Sequence, residues 1–204
     1  HNAFRRDMAG IDAAALDSAR GKPGLEPAIE RVRFFNEVLD WHAHGEELAI
    51  FPALEAVAPL VAWSYEQDHR GLDRACAAMD AAWSARDALE TARASAAFKF
   101  HLDHHLAKED AHVYRLIRER VPMPDQAKAV GLMSSTVPQD RFPEVNAWLF
   151  PLLGDADRAN YLDTAADVCL KRGNCEDAIA RIKQAIELAP DRAYFKEQLA
   201  KFEA

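Results

Sequence analysis

The segments His42-Ala-His-Gly-Glu46 and His105-Leu-Ala-Lys-Glu109 decide how this chain folds. In each segment a histidine precedes a glutamate by four residues, and on an α-helix such residues are only about 40° apart and share a face. Apolar residues extend the same faces: Phe35, Val38, Leu39, Ala49, Ile50 and Ala53 in the first helix, and Phe98, Leu102, Leu106, Val113 and Leu116 in the second. The two pairs therefore predict a metal site in a helical core.

Two further histidines lie on the apolar faces of other predicted helices. His69 shares a face with Tyr65 and Leu72, and His1 lines up with Phe4. A buried ionised carboxylate costs several kcal/mol unless it is paired or bound to a cation. No lysine or arginine lies on these inward faces, so a metal is the predicted partner of both glutamates. Because a carboxylate can bridge two ions, this donor set fits a dinuclear centre better than a single zinc ion.

The remaining histidines are predicted to lie at the edge of the bundle or in solvent: His44, His101, His104 and His112. Asp73 follows His69 by one turn near the edge of the face, and it stays open between a ligand and a surface acid. Asp110 is a weaker competitor of Glu109, because it turns away from the apolar stripe.

The whole chain is predicted to be all-α, because strand patterns are nearly absent and alanine is abundant. Four long helices, at about residues 1–19, 27–57, 60–88 and 92–120, predict an up-down four-helix bundle over residues 1–121. The first helix is expected to end in Gly21-Lys22-Pro23-Gly24, and the second to begin near Pro27. Residues 122–157 are predicted to form a helical extension of two shorter helices separated near Pro138. Residues 158–204 are predicted to form a helical hairpin and a last helix.

The composition excludes several classes of protein. The 204 residues are 50% hydrophobic and 28% charged, which is unlike a disordered chain. No segment has the length of a bilayer span or the pattern of a signal peptide, so a soluble, cytoplasmic protein is expected. A net charge of −8 argues against nucleic-acid binding. Cys76, Cys169 and Cys175 lack the spacing of a disulfide framework or a cysteine zinc site.

The order of the histidine and glutamate motifs over residues 1 to about 120 resembles the hemerythrin-like, or HHE cation-binding, family. The segments that carry the resemblance are His1-Asn-Ala-Phe-Arg-Arg-Asp7, His42-Ala-His-Gly-Glu-Glu-Leu-Ala-Ile-Phe-Pro52, Asp68-His69 and His105-Leu-Ala-Lys-Glu-Asp110. The resemblance implies a bundle around a non-haem di-iron centre with bridging glutamates. The iron ligands that it implies are His1, His42, Glu46, His69, His105 and Glu109.

One position departs from the oxygen-carrying members of that family. Their third helix supplies two histidines four residues apart, whereas Asp73 stands at the second position here. A changed ligand set alters the reactivity of the iron, which argues against simple reversible oxygen carriage. A chain whose first helix begins on a candidate ligand, His1, is also expected to be trimmed or partial.

The C-terminal part resembles one tetratricopeptide repeat, at about residues 159–192, followed by a capping helix. The matching positions are Leu162, Ala166, Gly173, Ala178, Ala185 and Pro190. Because about three such repeats are needed to stand alone, a single one must pack on the bundle, on residues 125–155 or on another chain. A hairpin that closes the bundle and a partner-binding module remain open as alternatives.

Three functions are compatible with these features. The first is a di-iron protein that binds oxygen or nitric oxide for sensing, storage or transfer. The second is a di-iron enzyme that acts on peroxide or ferrous iron. The third is an iron-responsive interaction protein that recruits a protein partner through its tail. Tyr65 and Tyr114 are candidates to hydrogen-bond to the ligands, and either can instead be a plain core aromatic.

Overall fold

The computed structural model describes residues 1–22 and 25–203, which contain helices and turns and no strand. The all-α prediction is confirmed. Pro23 and Gly24, expected to stop the first helix, lie outside the described residues. The helices are α1 (Asn2–Ala19), α2 (Leu25–Gly45), α3 (Phe51–Glu55), α4 (Val61–Ala85), α5 (Ala88–Ala111), α6 (Val113–Arg120), α7 (Met123–Ser134), α8 (Phe142–Leu152), α9 (Asp155–Lys171), α10 (Cys175–Leu188) and α11 (Ala193–Phe202). None of the described helices is both long enough and apolar enough to cross a bilayer.

The chain divides into two compact units, His1–Asn146 and Ala147–Ala204. In the first unit α5 packs against α1 and α4, and α2 packs against the same two helices. His1, at the start of α1, contacts Asp110 at the end of α5 and His42 at the end of α2. Trp83, near the end of α4, donates a hydrogen bond to Ser95, near the start of α5. Neighbouring helices are therefore antiparallel, as expected of an up-down bundle.

The second long helix is interrupted, although the sequence predicts one helix over residues 27–57. Between α2 and α3 lies a π turn, Glu46–Ile50, in which the Phe51 N–H donates to the Glu46 carbonyl five residues back. Pro52 has no N–H for the Leu48 carbonyl, and in an α-helix its ring would clash with that carbonyl. The wider turn removes this clash, so the prediction of one continuous α-helix is wrong here.

The fourth predicted helix, 92–120, is two helices, α5 and α6, that meet at His112. It also begins earlier than predicted, because the Asp87 carboxylate accepts hydrogen bonds from the N–H groups of Leu89 and Glu90. α4 ends where Arg86 adopts a left-handed conformation with a φ of 57°. These local signals fix the length of α5 and thereby the position of its last turns in the bundle.

The second unit has an apolar core of its own. Its buried members are Ala159, Leu162, Ala166, Ala178, Ile182, Ala185, Phe195 and Phe202, all from α9, α10 and α11. Phe150 packs against this core, and Arg158 donates a hydrogen bond to the Phe150 carbonyl. The hairpin thus packs on part of residues 125–155, one of the three alternatives left by the sequence. Its use as a partner-binding module stays a prediction.

Candidate metal centre

Six side chains converge in the core of the bundle, and they are the six that the sequence singles out: His1, His42, Glu46, His69, His105 and Glu109. They form two groups, in each of which the nearest ligand atoms lie within 4.8 Å of one another. The first group holds His1 and His42 with both glutamates, and the second holds His69 and His105 with both glutamates. Each glutamate therefore belongs to both groups.

The two oxygens of Glu46 face different histidines. Oε1 lies 3.3 Å from His42 Nε2 and 3.8 Å from His1 Nε2. Oε2 lies 3.5 Å from His69 Nε2. One oxygen is thus turned to the first group and the other to the second.

Glu109 also faces both groups. Its Oε2 lies 3.3 Å from His105 Nε2 and 3.5 Å from His1 Nε2. Its Oε1 lies 4.0 Å from His69 Nε2. The two carboxylates and four imidazoles are close enough to surround two adjacent ions.

Both glutamates are fully buried, and none of the described lysines or arginines forms an ion pair with either carboxylate. The buried polar atoms of the centre that lack a hydrogen-bond partner are Nε2 of His1, His42 and His69, Nδ1 of His105, Oε2 of Glu46 and both oxygens of Glu109. Buried unsatisfied polar atoms are uncommon and costly. A cation among imidazole nitrogens and carboxylate oxygens would satisfy most of them, so the residues present fit a metal.

The pKa values of the cluster show the electrostatic conflict that exists without a metal. Burial, followed by the charge of Glu46, raises the pKa of Glu109 to about 10. Burial acts in the same direction on Glu46, but the charge of His42 and the nearby imidazoles of His1 and His69 hold the pKa of that carboxyl well below its usual value. Burial, followed by the charge of His69, lowers the pKa of His105 to about 4. Two carboxylates in this space do not both ionise until a cation is present.

Carboxylates lie behind two of the histidines. Asp110 Oδ1 is 2.7 Å from His1 Nδ1, and its other oxygen accepts a hydrogen bond from Arg5. Glu47 Oε1 is 2.9 Å from His69 Nδ1. A carboxylate on the far nitrogen fixes the orientation of an imidazole and raises its basicity toward a metal. Asp110 therefore contacts a candidate ligand from outside and is part of neither group.

A weaker contact of the same kind occurs at His105, whose Nδ1 lies 3.7 Å from Asp68 Oδ2. Lys108 forms an ion pair with Asp68. The sequence pattern does not identify Glu47 and Asp68 as supporting residues, although each is adjacent in sequence to a candidate ligand. An adjacent residue lies about 100° away on a helix, so its contact with a ligand on another helix cannot be read from helical phase.

The two tyrosines behave differently. The Tyr114 hydroxyl donates a hydrogen bond of 2.6 Å to Glu46 Oε1, so Tyr114 contacts the centre as proposed from the sequence. The Tyr65 hydroxyl donates at 3.3 Å to the Lys108 carbonyl instead. Burial, followed by the charge of Glu46, raises the pKa of Tyr114, so this hydroxyl keeps its proton.

The other residues considered from the sequence lie outside the two groups. Asp73 is exposed, and so are the four histidines predicted to be bystanders: His44, His101, His104 and His112. The three cysteines are also absent from both groups. The fold and the cluster together define an all-α bundle whose core contains histidine and glutamate side chains able to hold metal ions.

Two plant proteins are similar to most of this chain. It is 26% identical over 179 residues to the zinc finger protein BRUTUS of Arabidopsis thaliana, which covers 84% of this chain and 14% of that protein. It is 23% identical over 171 residues to a zinc finger protein BRUTUS-like of the same plant, covering 78% and 14%. The chain thus spans about one seventh of the length of these curated relatives. No family model matches the chain, and no solved structure matches it.

Proposed function

We propose that this chain binds two iron ions in the core of its bundle. The observation that carries this proposal is that two histidine pairs share the same two glutamates. His1 and His42 would hold one ion, His69 and His105 the other, and Glu46 and Glu109 would bridge them. The bridging role follows from the way each glutamate faces histidines of both groups.

The donor chemistry is suited to non-haem iron. All six donors are imidazole nitrogens or carboxylate oxygens, a mixture that suits non-haem iron, whereas thiolates, which favour zinc and copper(I), are absent from the two groups. Structural zinc sites are typically closed tetrahedra rich in cysteine. The resemblance of the motifs to hemerythrin-like proteins supports the same choice.

We further propose oxygen or nitric oxide as the ligand of the centre. Four protein donors per ion leave coordination positions open. Bound iron would bind or reduce a small diatomic molecule there. A cavity of about 260 Å³ reaches His42, Glu46, His69 and His105. Tyr114 fixes one oxygen of Glu46 while keeping its own proton.

Metal analysis with optical spectroscopy tests both parts of the proposal. Protein loaded anaerobically with Fe²⁺ should bind two ions per chain, and its spectrum should change when oxygen or nitric oxide is added. One bound ion per chain, or a preference for zinc under competition, would reject the di-iron centre. If two irons bind but neither gas changes the spectrum, only the proposal of a diatomic ligand is rejected. Steady-state assays of peroxide loss and iron oxidation would separate binding from turnover.

A further inference from the structure

The cavity beside the centre lies between α2 and α4 and has a distinct inner and outer part. Its inner wall contains four of the candidate ligands: His42, Glu46, His69 and His105. Glu46 Oε2 and His69 Nε2 are buried there and lack hydrogen-bond partners. The inner end therefore presents donors that no other described protein group satisfies.

The outer part of the same cavity carries three exposed carboxylates, Asp40 from α2 and Asp73 and Asp80 from α4. None of the described residues that line the cavity is a lysine or an arginine. Arg33 acts on Asp80 but is not part of the lining. The mouth of the cavity is thus negatively charged.

The field of these aspartates reaches the interior of the cavity. Cys76 lies in its lining, and its thiol pKa is raised to about 12 by burial and by the charges of Asp80, Asp73 and Asp40. A cleft lined by charge of one sign concentrates ions of the opposite sign and raises their association rate. A cation that enters this cavity therefore passes the aspartates first and reaches the unpartnered ligand atoms of Glu46 and His69 afterwards.

We propose that this cavity is the entry path of the divalent metal ion, and that Asp40, Asp73 and Asp80 attract the ion to the outer end of that path without retaining it. The inference rests on the proposed function, because it requires that a cation bind at the centre. Asp73, which the sequence leaves open between ligand and surface acid, then acts on the ion before it reaches the ligands. The negative charge along the path should speed the entry of cations over that of anions, and it should not change the entry of a neutral gas.

The first experiment removes the negative charge at the mouth of the cavity and measures the rate at which the protein takes up iron. Metal-free protein carrying Asp40→Asn, Asp73→Asn and Asp80→Asn is mixed anaerobically with Fe²⁺, the reaction is quenched with a chelator, and protein-bound iron is counted over time. We expect loading to be about tenfold slower at low salt, with the difference shrinking as salt screens the charges. The final iron content should equal that of the unchanged chain.

The matched control carries Glu30→Gln, Glu119→Gln and Asp140→Asn, which alter three exposed acids outside the cavity lining. It changes the net charge equally and should load at the original rate. If both triple variants slow iron uptake equally, the cause is the net charge of the protein, and the proposed entry path is wrong. If the aspartate variant loses bound iron at saturation, these residues act as ligands and the inference is also overturned.

A second variant narrows the cavity without removing charge. Ala77 is exposed and lies in the lining, so Ala77→Trp should slow loading, whereas Ala78→Trp, next to it and outside the lining, should not. Equal rates for the two variants would exclude this path and favour entry elsewhere, such as the smaller cavity beside His101 and His104. If the unchanged chain binds no iron at saturation, the proposed function itself is wrong. This outcome is distinct from failure of the entry path alone, in which iron still binds at the centre.

Discussion

Tyr114 donates a 2.6 Å hydrogen bond to Oε1 of Glu46, and the two residues are 68 positions apart in the sequence. The ring of Tyr114 stands edge-on to the His1 ring, with 5.2 Å between centroids. The hydroxyl therefore fixes the oxygen that faces His1 and His42, while the other oxygen stays turned to His69. The Tyr114 hydroxyl thus determines which oxygen of the buried Glu46 carboxylate faces each of the two groups.

Replacing Tyr114 with Phe should destabilise the chain, because it removes a donor from a buried carboxylate while keeping the ring. A hydrogen bond to a charged group contributes about 1.5–3 kcal/mol, so we expect a loss of about 2 kcal/mol in the free energy of unfolding. Urea titration followed by circular dichroism measures it. Tyr65→Phe, which removes a longer bond to a backbone carbonyl, should cost less. Equal losses for the two variants would contradict the role given to Tyr114.

Paired histidine variants test which face of each helix holds the metal. His42→Ala and His105→Ala should lower the bound iron well below two per chain, since each removes a donor of one group. His44→Ala and His104→Ala remove exposed histidines and should leave iron content unchanged. Elemental analysis after gel filtration gives the content, and circular dichroism checks that helicity is retained. Similar losses for His42 and His44 would show that the facial assignment is wrong.

Glu109→Gln should have opposite effects on the metal-free and the metal-loaded protein. Because burial and the charge of Glu46 raise the pKa of Glu109 to about 10, this carboxyl must take up a proton when the chain folds at neutral pH, and the amide avoids that cost. We expect a gain of about 2 kcal/mol in the free energy of unfolding at neutral pH, which is a rise of about 5 °C in Tm for a chain of this size. The same change removes a bridging ligand, so metal should stabilise the variant less.

Thermal unfolding with and without Fe²⁺ separates the two effects, and Glu119→Gln, at an exposed position, is the control. A lower Tm of the metal-free Glu109→Gln protein would contradict the expected gain in stability. A full metal-induced rise in its Tm would contradict the role of Glu109 as a ligand.

The carboxylates behind the histidines should control affinity rather than the number of ions bound. Asp110→Asn and Glu47→Gln weaken the contacts with His1 and His69, and changes of this kind typically cost about 10–100-fold in metal affinity. Competition with chelators of graded strength measures the dissociation constants. Both variants should still reach full iron content when the metal is in excess. A permanent loss of one ion per chain in Asp110→Asn would instead make Asp110 a ligand.

The three cysteines should differ in their reaction with a thiol reagent. Only the thiolate reacts, and the pKa of Cys76 is raised to about 12 by burial and nearby aspartates. At pH 8 an alkylating reagent should therefore modify the exposed Cys175 first and Cys76 last. Peptide mass spectrometry over time gives the order. Removing Asp40, Asp73 and Asp80 by asparagine substitution should speed the reaction of Cys76, and rapid alkylation of Cys76 in the unchanged chain would contradict the cavity electrostatics.

Helical phase was sufficient to select the six clustered residues, because residues four apart share a face whatever the tertiary structure. It also placed His44 and His104 in solvent. It did not reveal the contacts of Glu47 and Asp68, which depend on how neighbouring helices are set against each other. The break at His112 was missed because no proline or glycine marks it, and the π turn was missed although Pro52 stands beside it.

The π turn makes the number of residues in this stretch as important as their identity. Up to its first residue, His42 and Glu46 face the cluster of candidate ligands, and after it Phe51 and Leu54 pack in a core with Tyr65. Deleting one residue within the turn would restore ordinary α-helical spacing and rotate one side relative to the other by about 100°. Either the candidate ligands or the apolar residues would then lose contact with their present neighbours. This segment should tolerate almost no single-residue insertion or deletion.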